Sequence, residues 1–266
     1  MLTESQRERL DVVLVSPRNP LNIGAVARAM ANFGLSRLFV VAPYAPMWRV
    51  AKSAVGAPQI LLDAKESATV AEAVEACTLV IGTGSLTYRK PEQPVVSLPD
   101  LAPLVGRELL RGGRVAVVFG TEKHGLTRDD LSYCHMLAEI PCDPQQPSMN
   151  LGQAAAVCLY ELAVRAGLPE RPAIESRPLR AKNEENTAPD DEPHGVPTSK
   201  LEILAQLLEE TMASVGYSPR SLQEANRHDL RVMLRRMALS EADARRILGL
   251  FRRILWRLRH AKQRCD

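Results

Sequence analysis

No apolar run in this 266-residue chain approaches the roughly 20 residues needed to span a bilayer. The first ten residues, MLTESQRERL, lack the apolar core of a signal peptide. Both absences point to a cytoplasmic protein. Cysteine is sparse and unpaired: Cys77, Cys134, Cys142, Cys158 and Cys265 are odd in number, and none forms a C-x-x-C pair. Neither a disulfide framework nor a zinc site is signalled, and reduced thiols are expected. His124 and His135 have no partner at metal-ligand spacing, so no metal is expected. There is no Ser-His-Asp order, no P-loop and no H-E-x-x-H, which leaves a hydrolase or NTPase without its machinery. GTGSLTY lacks the third glycine of a dinucleotide fingerprint.

What is present is an ordinary globular composition, 45% hydrophobic. Short apolar runs end in small residues or a turn: VVLVS (12–16), RLFVVAP (37–43), TLVIGTG (78–84) and RVAVVFG (114–120). Helical patterns separate them, over about 22–33, 68–76 and 98–110, the first closed by Gly34. Continuous Val/Ile-rich runs alternating with helices predict an α/β fold, a mostly parallel sheet with helices on both faces. Ligands of such sheets bind at the carboxyl ends of the strands, where GTG and FGTEKHG lie.

A long Ala-rich helix is predicted from Asn150 to Gly167, and then the composition changes. The reading divides the chain into a catalytic domain (1–168), a flexible linker (169–198) rich in Pro, Glu, Asp, Asn and Arg, and a small α-helical C-terminal domain (199–266). The net charge of +3 conceals an asymmetry. Residues 199–266 carry 14 Lys and Arg against 8 Asp and Glu, a local +6, so the remainder is −3. A basic domain on a mildly acidic body suggests a polyanionic partner. Eight of these cations lie between Arg245 and Arg264 with no carboxylate among them. Ile247, Leu250, Phe251, Ile254, Leu255 and Leu258 recur there at helical spacing and are expected to face a core or a second subunit.

Three segments carry chemistry. In SPRNPLNIGAVARAMANFG (16–34), Val26, Met30 and Phe33 share one helical face, and Arg28 stands nearly opposite with Gly24, Ala31 and Asn32. In VFGTEKHGL (118–126), Gly120 permits close approach of a ligand to the backbone, and Glu122 is placed to orient a loop or accept a hydrogen bond. In IPCDPQQPSMNLGQAAA (140–156), Ser148 occupies an expected helix cap.

The ordered trio NIGAVAR, FGTEKHG and PSMNLGQA resembles the SPOUT-class RNA 2′-O-methyltransferases of the TrmH type over residues 11–167. Within that class it looks like the TrmJ-type tRNA enzymes, which methylate a pyrimidine ribose at the start of the anticodon loop. The resemblance implies a SPOUT fold with a trefoil knot at the C-terminal end of the catalytic domain. It implies S-adenosylmethionine as cofactor, held by Thr83, Gly84, Ser85, Gly120, Ile140, Pro147, Ser148 and Met149, and a homodimer built on the helix from Asn150. The catalytic set carried over is Arg28, Asn22, Glu122 and Ser148, with tRNA as partner. Arg28 would clamp a phosphate and favour the nascent alkoxide, with Gly24 and Ala31 leaving room for RNA backbone. Where the relatives often read G-T-S-A-R, this chain reads GTGSLTYRK, which displaces the basic pair to Arg89 and Lys90. Two other readings stay open: a SPOUT methyltransferase of ribosomal RNA or another tRNA site, and a catalytically inactive RNA-binding protein of this fold.

Overall fold

The computed structural model describes residues 1–44, 47–84, 91–166, 195–217 and 223–262. Ser85, Arg89, Lys90, Cys265 and nearly all of the expected linker lie outside them. Seven strands form one parallel sheet: β1 Leu10–Val15, β2 Leu38–Val41, β3 Lys65–Ser67, β4 Leu79–Thr83, β5 Val95–Ser97, β6 Val115–Phe119 and β7 Met136–Glu139. Their order is β3-β2-β1-β6-β4-β7-β5. The helices are α1 Glu4–Arg7, α2 Pro20–Asn32, α3 Pro58–Asp63, α4 Val70–Ala73, α5 Leu98–Leu110, α6 Arg128–Ser132, α7 Leu151–Tyr160, α8 Thr198–Ser214, α9 Gln223–Arg236 and α10 Glu241–Lys262. One π-helical turn, Glu161–Arg165, extends α7.

Alternation along the strands builds two cores. Val12, Leu14, Val115, Val117 and Phe119 point to one face, where α2, α5 and α7 cover them with Ile23, Met30, Leu101, Val105, Ala155 and Leu159. Val13, Val15, Phe39, Val80, Ala116 and Val118 point to the other, against Val70, Val74, Leu126 and Tyr133. Both faces are covered, as a parallel sheet requires. The four apolar runs are β1, β2, β4 and β6. The remaining strands are short: β3 and β5 are exposed three-residue edges, and β7 includes Ala and Glu, which are depleted in strands. The helix expected over 68–76 is only Val70–Ala73, capped by the Thr69 hydroxyl.

The last three helices pack together through Leu204, Ala205, Leu234 and Leu248. In α10 the buried residues are Ala244, Leu248 and Leu255. Leu250 is 59% exposed in the single chain, and Leu248, outside the expected set, is buried. Among the described residues no helix is long and apolar enough to cross a membrane.

Candidate active site

The carboxyl ends of β1, β6 and the entry to α7 bring the three motifs together. Asn19 caps α2, its side chain accepting from the Leu21 N–H, with Pro20 at the first helical position. Beyond β6 the chain folds back on itself, Thr121 and Gly125 exchanging backbone hydrogen bonds of 3.2 and 2.9 Å. A Cβ on Gly120 would lie 2.1 Å from the Gly125 carbonyl carbon. The glycine is therefore required by closure of its own loop. That closure presents Glu122 to the α2 cap. Its carboxylate accepts from the N–H groups of Arg18 (3.1 Å) and Asn19 (3.0 Å) and from Asn22 Nδ2 (3.1 Å). Partial burial works to raise the Glu122 pKa, but the N–H groups of Asn19 and Glu122 itself, the Asn22 amide and the Arg18 N–H outweigh it and hold the carboxyl below its ordinary value.

Asn22 then passes the contact on. Its Oδ1 accepts from Asn150 Nδ2 at 3.0 Å, and Asn150 Oδ1 caps α7 by accepting from the N–H groups of Gly152 and Gln153. Ser148 is thus not the helix cap. The cap is Asn150, two residues later, and Ser148 is exposed. Asn150 is the polar residue that the sequence reading missed. Its signal was an Asn directly before an apolar periodic run, which Ser148 masked.

The other expected residues fall into separate settings. Thr83 is buried and its hydroxyl donates to the Val118 carbonyl at 3.0 Å, so it ties β4 to β6. A Cβ on Gly84, at the end of β4, would meet nothing within 4 Å among the described residues. Ile140 and Pro147 are half-buried. The N–H groups of Ser148 and Met149 have no partner among the described residues. Arg28 is exposed, six residues past Asn22 and about 9 Å along the helix axis. Its side chain makes no ion pair or hydrogen bond to any described residue. Gly24 is buried, and a Cβ there would sit 2.2 Å from Ser53 Oγ. The small residue admits residues 51–54, which corrects the expectation that it leaves room for RNA.

The thiols and histidines behave as scaffold. Burial pushes the Cys134 and Cys158 thiols up to about 12, and burial, then Asp11, raises Cys77. His135 is half-buried. Burial and then the Arg235 charge lower its pKa to about 3, while its Nδ1 accepts from the Val80 N–H at 3.0 Å. Glu92, His228 and Asp229 bring ligand atoms within 4.8 Å of one another, but Arg128 already pairs both carboxylates, at 2.8 and 3.6 Å. A cavity of about 350 Å³ beside them is lined by Glu92, His124, Leu126, Arg128 and His228 and includes none of Asn22, Glu122 and Asn150. The convergence of motifs, and not this cavity, marks the site.

Residues 9–160 match the model of the SpoU rRNA methylase family. The chain is 34% identical over 248 residues to the tRNA (cytidine/uridine/adenosine-2′-O-)-methyltransferase TrmJ of Pseudomonas aeruginosa, covering 91% of this chain and 92% of that protein. It is 30% identical over 257 residues to the tRNA (cytidine/uridine-2′-O-)-methyltransferase TrmJ of Pectobacterium atrosepticum, covering 93% and 95%. The crystal structure of TrmJ from Z. mobilis ZM4 superposes with a TM-score of 0.74 at 29% identity, over 92% of this chain and 98% of that one.

Proposed function

We propose that this chain, which belongs to the SpoU rRNA methylase family, transfers a methyl group from S-adenosylmethionine to the ribose 2′-oxygen of a tRNA pyrimidine at the start of the anticodon loop. The observation that carries the reading is the continuous chain of hydrogen bonds Glu122–Asn22–Asn150, which assembles three sequence-distant motifs at one strand-end edge. Full-length likeness to two tRNA 2′-O-methyltransferases supports tRNA over ribosomal RNA.

The edge fits the cofactor. Gly84 meets no described residue on its Cβ side, and the N–H groups of Ser148 and Met149, without a partner among the described residues, offer donors beside Ile140 and Pro147. These residues would hold S-adenosylmethionine, together with Thr83, Ser85 and Gly120. When bound, it supplies a methyl group on a positively charged sulfur. The chain's own residues do the rest. Arg28 has no partner among the described residues, so its fork is available to a phosphate and to the charge that develops on the attacking oxygen. A guanidinium does not surrender its proton, so Arg28 orients and stabilises and does not act as a base. Glu122 already accepts three N–H groups from the α2 cap and is a positioning residue for Asn22. Ser148 stands exposed at the entry to α7 and is assigned to substrate contact.

The reading includes a homodimer, which the exposed Val157 and Tyr160 on α7 support, and the trefoil knot of the class. It also includes three parts: catalytic domain, linker and basic helical domain. The test is methyl incorporation from labelled S-adenosylmethionine into separated tRNA and ribosomal RNA fractions. Label confined to tRNA supports the proposal. Label confined to ribosomal RNA supports the alternative family activity. No cofactor binding by calorimetry would leave an inactive RNA-binding protein.

A further inference from the structure

Two non-glycine residues with positive φ sit side by side at the site edge. Ser16, just past β1, has φ +46°, and Ala42, just past β2, has φ +43°. Side chains disfavour this left-handed region, and neither residue uses its side chain there to fill the core. Strain of this kind persists where surrounding contacts enforce it, and it concentrates at functional sites. Here the Ser16 N–H donates to the Val41 carbonyl, the Ala42 N–H to the Ser67 carbonyl and the Tyr44 N–H to the Pro17 carbonyl. The two loops are thereby clipped together. The result is an exposed pair: the Arg18 guanidinium lies 5.0 Å from the centre of the Tyr44 ring, which is 74% exposed. Arg18 makes no ion pair among the described residues, and its backbone N–H donates to Glu122.

We propose that Arg18 and Tyr44 form the docking contact for an unpaired nucleotide flanking the target ribose, with Tyr44 stacking on its base and Arg18 pairing with its phosphate. The inference rests on the RNA methyltransferase reading and adds two recognition residues to it. Packing does not explain the pair, because a ring this exposed contributes little to the core. Its chemistry matches a nucleotide of a loop: an aromatic face for an unstacked base beside a fork for a phosphate. A duplex hides its base faces, so the contact selects single-stranded RNA. Its place is also suitable. β2 lies two strands from β6, about 10 Å at the usual strand spacing, and Arg18 leads through Glu122 to Asn22.

The test compares the full-length protein with Tyr44→Ala, Tyr44→Phe and Arg18→Ala, using an unmodified tRNA transcript. Each protein is measured for tRNA affinity without turnover, for KM and kcat with saturating S-adenosylmethionine, and for cofactor affinity by calorimetry. Tyr44→Ala should weaken tRNA binding and raise KM by about tenfold, within the range of one base stack, with kcat and cofactor affinity within twofold of wild type. Tyr44→Phe should restore wild-type values, because the ring face and not the hydroxyl makes the contact. Arg18→Ala should weaken binding and flatten its salt dependence. Wild-type tRNA affinity and KM for Tyr44→Ala would overturn the inference, as would failure of Tyr44→Phe to rescue. A wild-type protein that transfers no methyl group overturns the proposed function. The affinity ratio, read without turnover, then still decides this inference.

Discussion

The two edges of the sheet use arginine in opposite ways. At the amino edge Arg37, Arg114, Arg231 and Arg235 are all consumed by protein partners. Asp11 is buried between Arg37 and Arg114, at 2.5 and 3.0 Å. Arg235 donates to the Tyr133 carbonyl and to Glu202, and Arg231 bridges Glu202 and Asp129 at 3.0 Å each while lying over the Tyr133 ring. With Thr198 donating twice to the Cys77 carbonyl, these contacts dock the C-terminal helices on the sheet. At the carboxyl edge, and on the helix that starts there, Arg18 and Arg28 meet no carboxylate side chain among the described residues, and Glu122 is occupied by backbone N–H groups and Asn22. A charge count cannot separate these roles, because a satisfied arginine and an available one contribute equally to it. The partner does: a buried carboxylate makes an arginine part of the scaffold, and its absence leaves the guanidinium for a ligand.

The largest expected effect breaks the amino edge. Arg235 is 4% exposed, so Arg235→Ala leaves Glu202 partly uncompensated and removes a donor from the Tyr133 carbonyl. Breaking a buried pair from one side costs about 3–5 kcal/mol. Urea unfolding should report that loss, while methyl transfer per folded molecule stays near wild type. A variant as stable as wild type would place Arg235 among the available arginines. Next comes Arg28→Ala, which reverses the pattern. Stability and cofactor affinity should hold, and the methyl-transfer rate should fall by about 10²–10³, the usual effect of losing one charge contact in the transition state. Arg28→Lys should rescue poorly, since an ammonium lacks the fork. Near-wild-type turnover would remove Arg28 from the mechanism.

A smaller effect is set by pH at the amino edge. The folded chain keeps His135 neutral down to about pH 3, whereas the unfolded chain takes up a proton near 6.5. Stability from this residue is therefore complete above pH 6.5 and falls as pH is lowered toward 3, by about 2 kcal/mol at pH 5. His135→Asn, whose side chain offers Val80 an uncharged acceptor, should narrow the stability difference between pH 7 and pH 5 by about that amount. An unchanged difference would mean that His135 does not report this burial.

How much of this was legible in the sequence follows from physical scale. The four central strands are buried on both faces and show as continuous apolar runs, and α5 was legible to the residue because its apolar face is regular. Lys65–Ser67 and Val95–Ser97 were not, because an edge strand three residues long buries too little to need an apolar pattern. Asn22 and Glu122 were visible as motif members, but the contact between them spans 100 positions and exists only once β1 and β6 pair. Ser148 and Asn150 are both capping types two residues apart, and only the backbone decides which one caps. Leu248 and Leu250 stand about 200° apart on α10, and only the packing against α8 and α9 shows which of the two is buried in the chain.

The most direct measurement is mass-spectrometric mapping of 2′-O-methyl nucleosides in tRNA transcripts incubated with S-adenosylmethionine and either wild-type protein or Arg28→Ala. The account predicts one methylated pyrimidine at the start of the anticodon loop with the wild type. It predicts none above background with Arg28→Ala, although that variant still binds the cofactor. Equal methylation by the two proteins, or no ribose methylation of tRNA by the wild type, would contradict it.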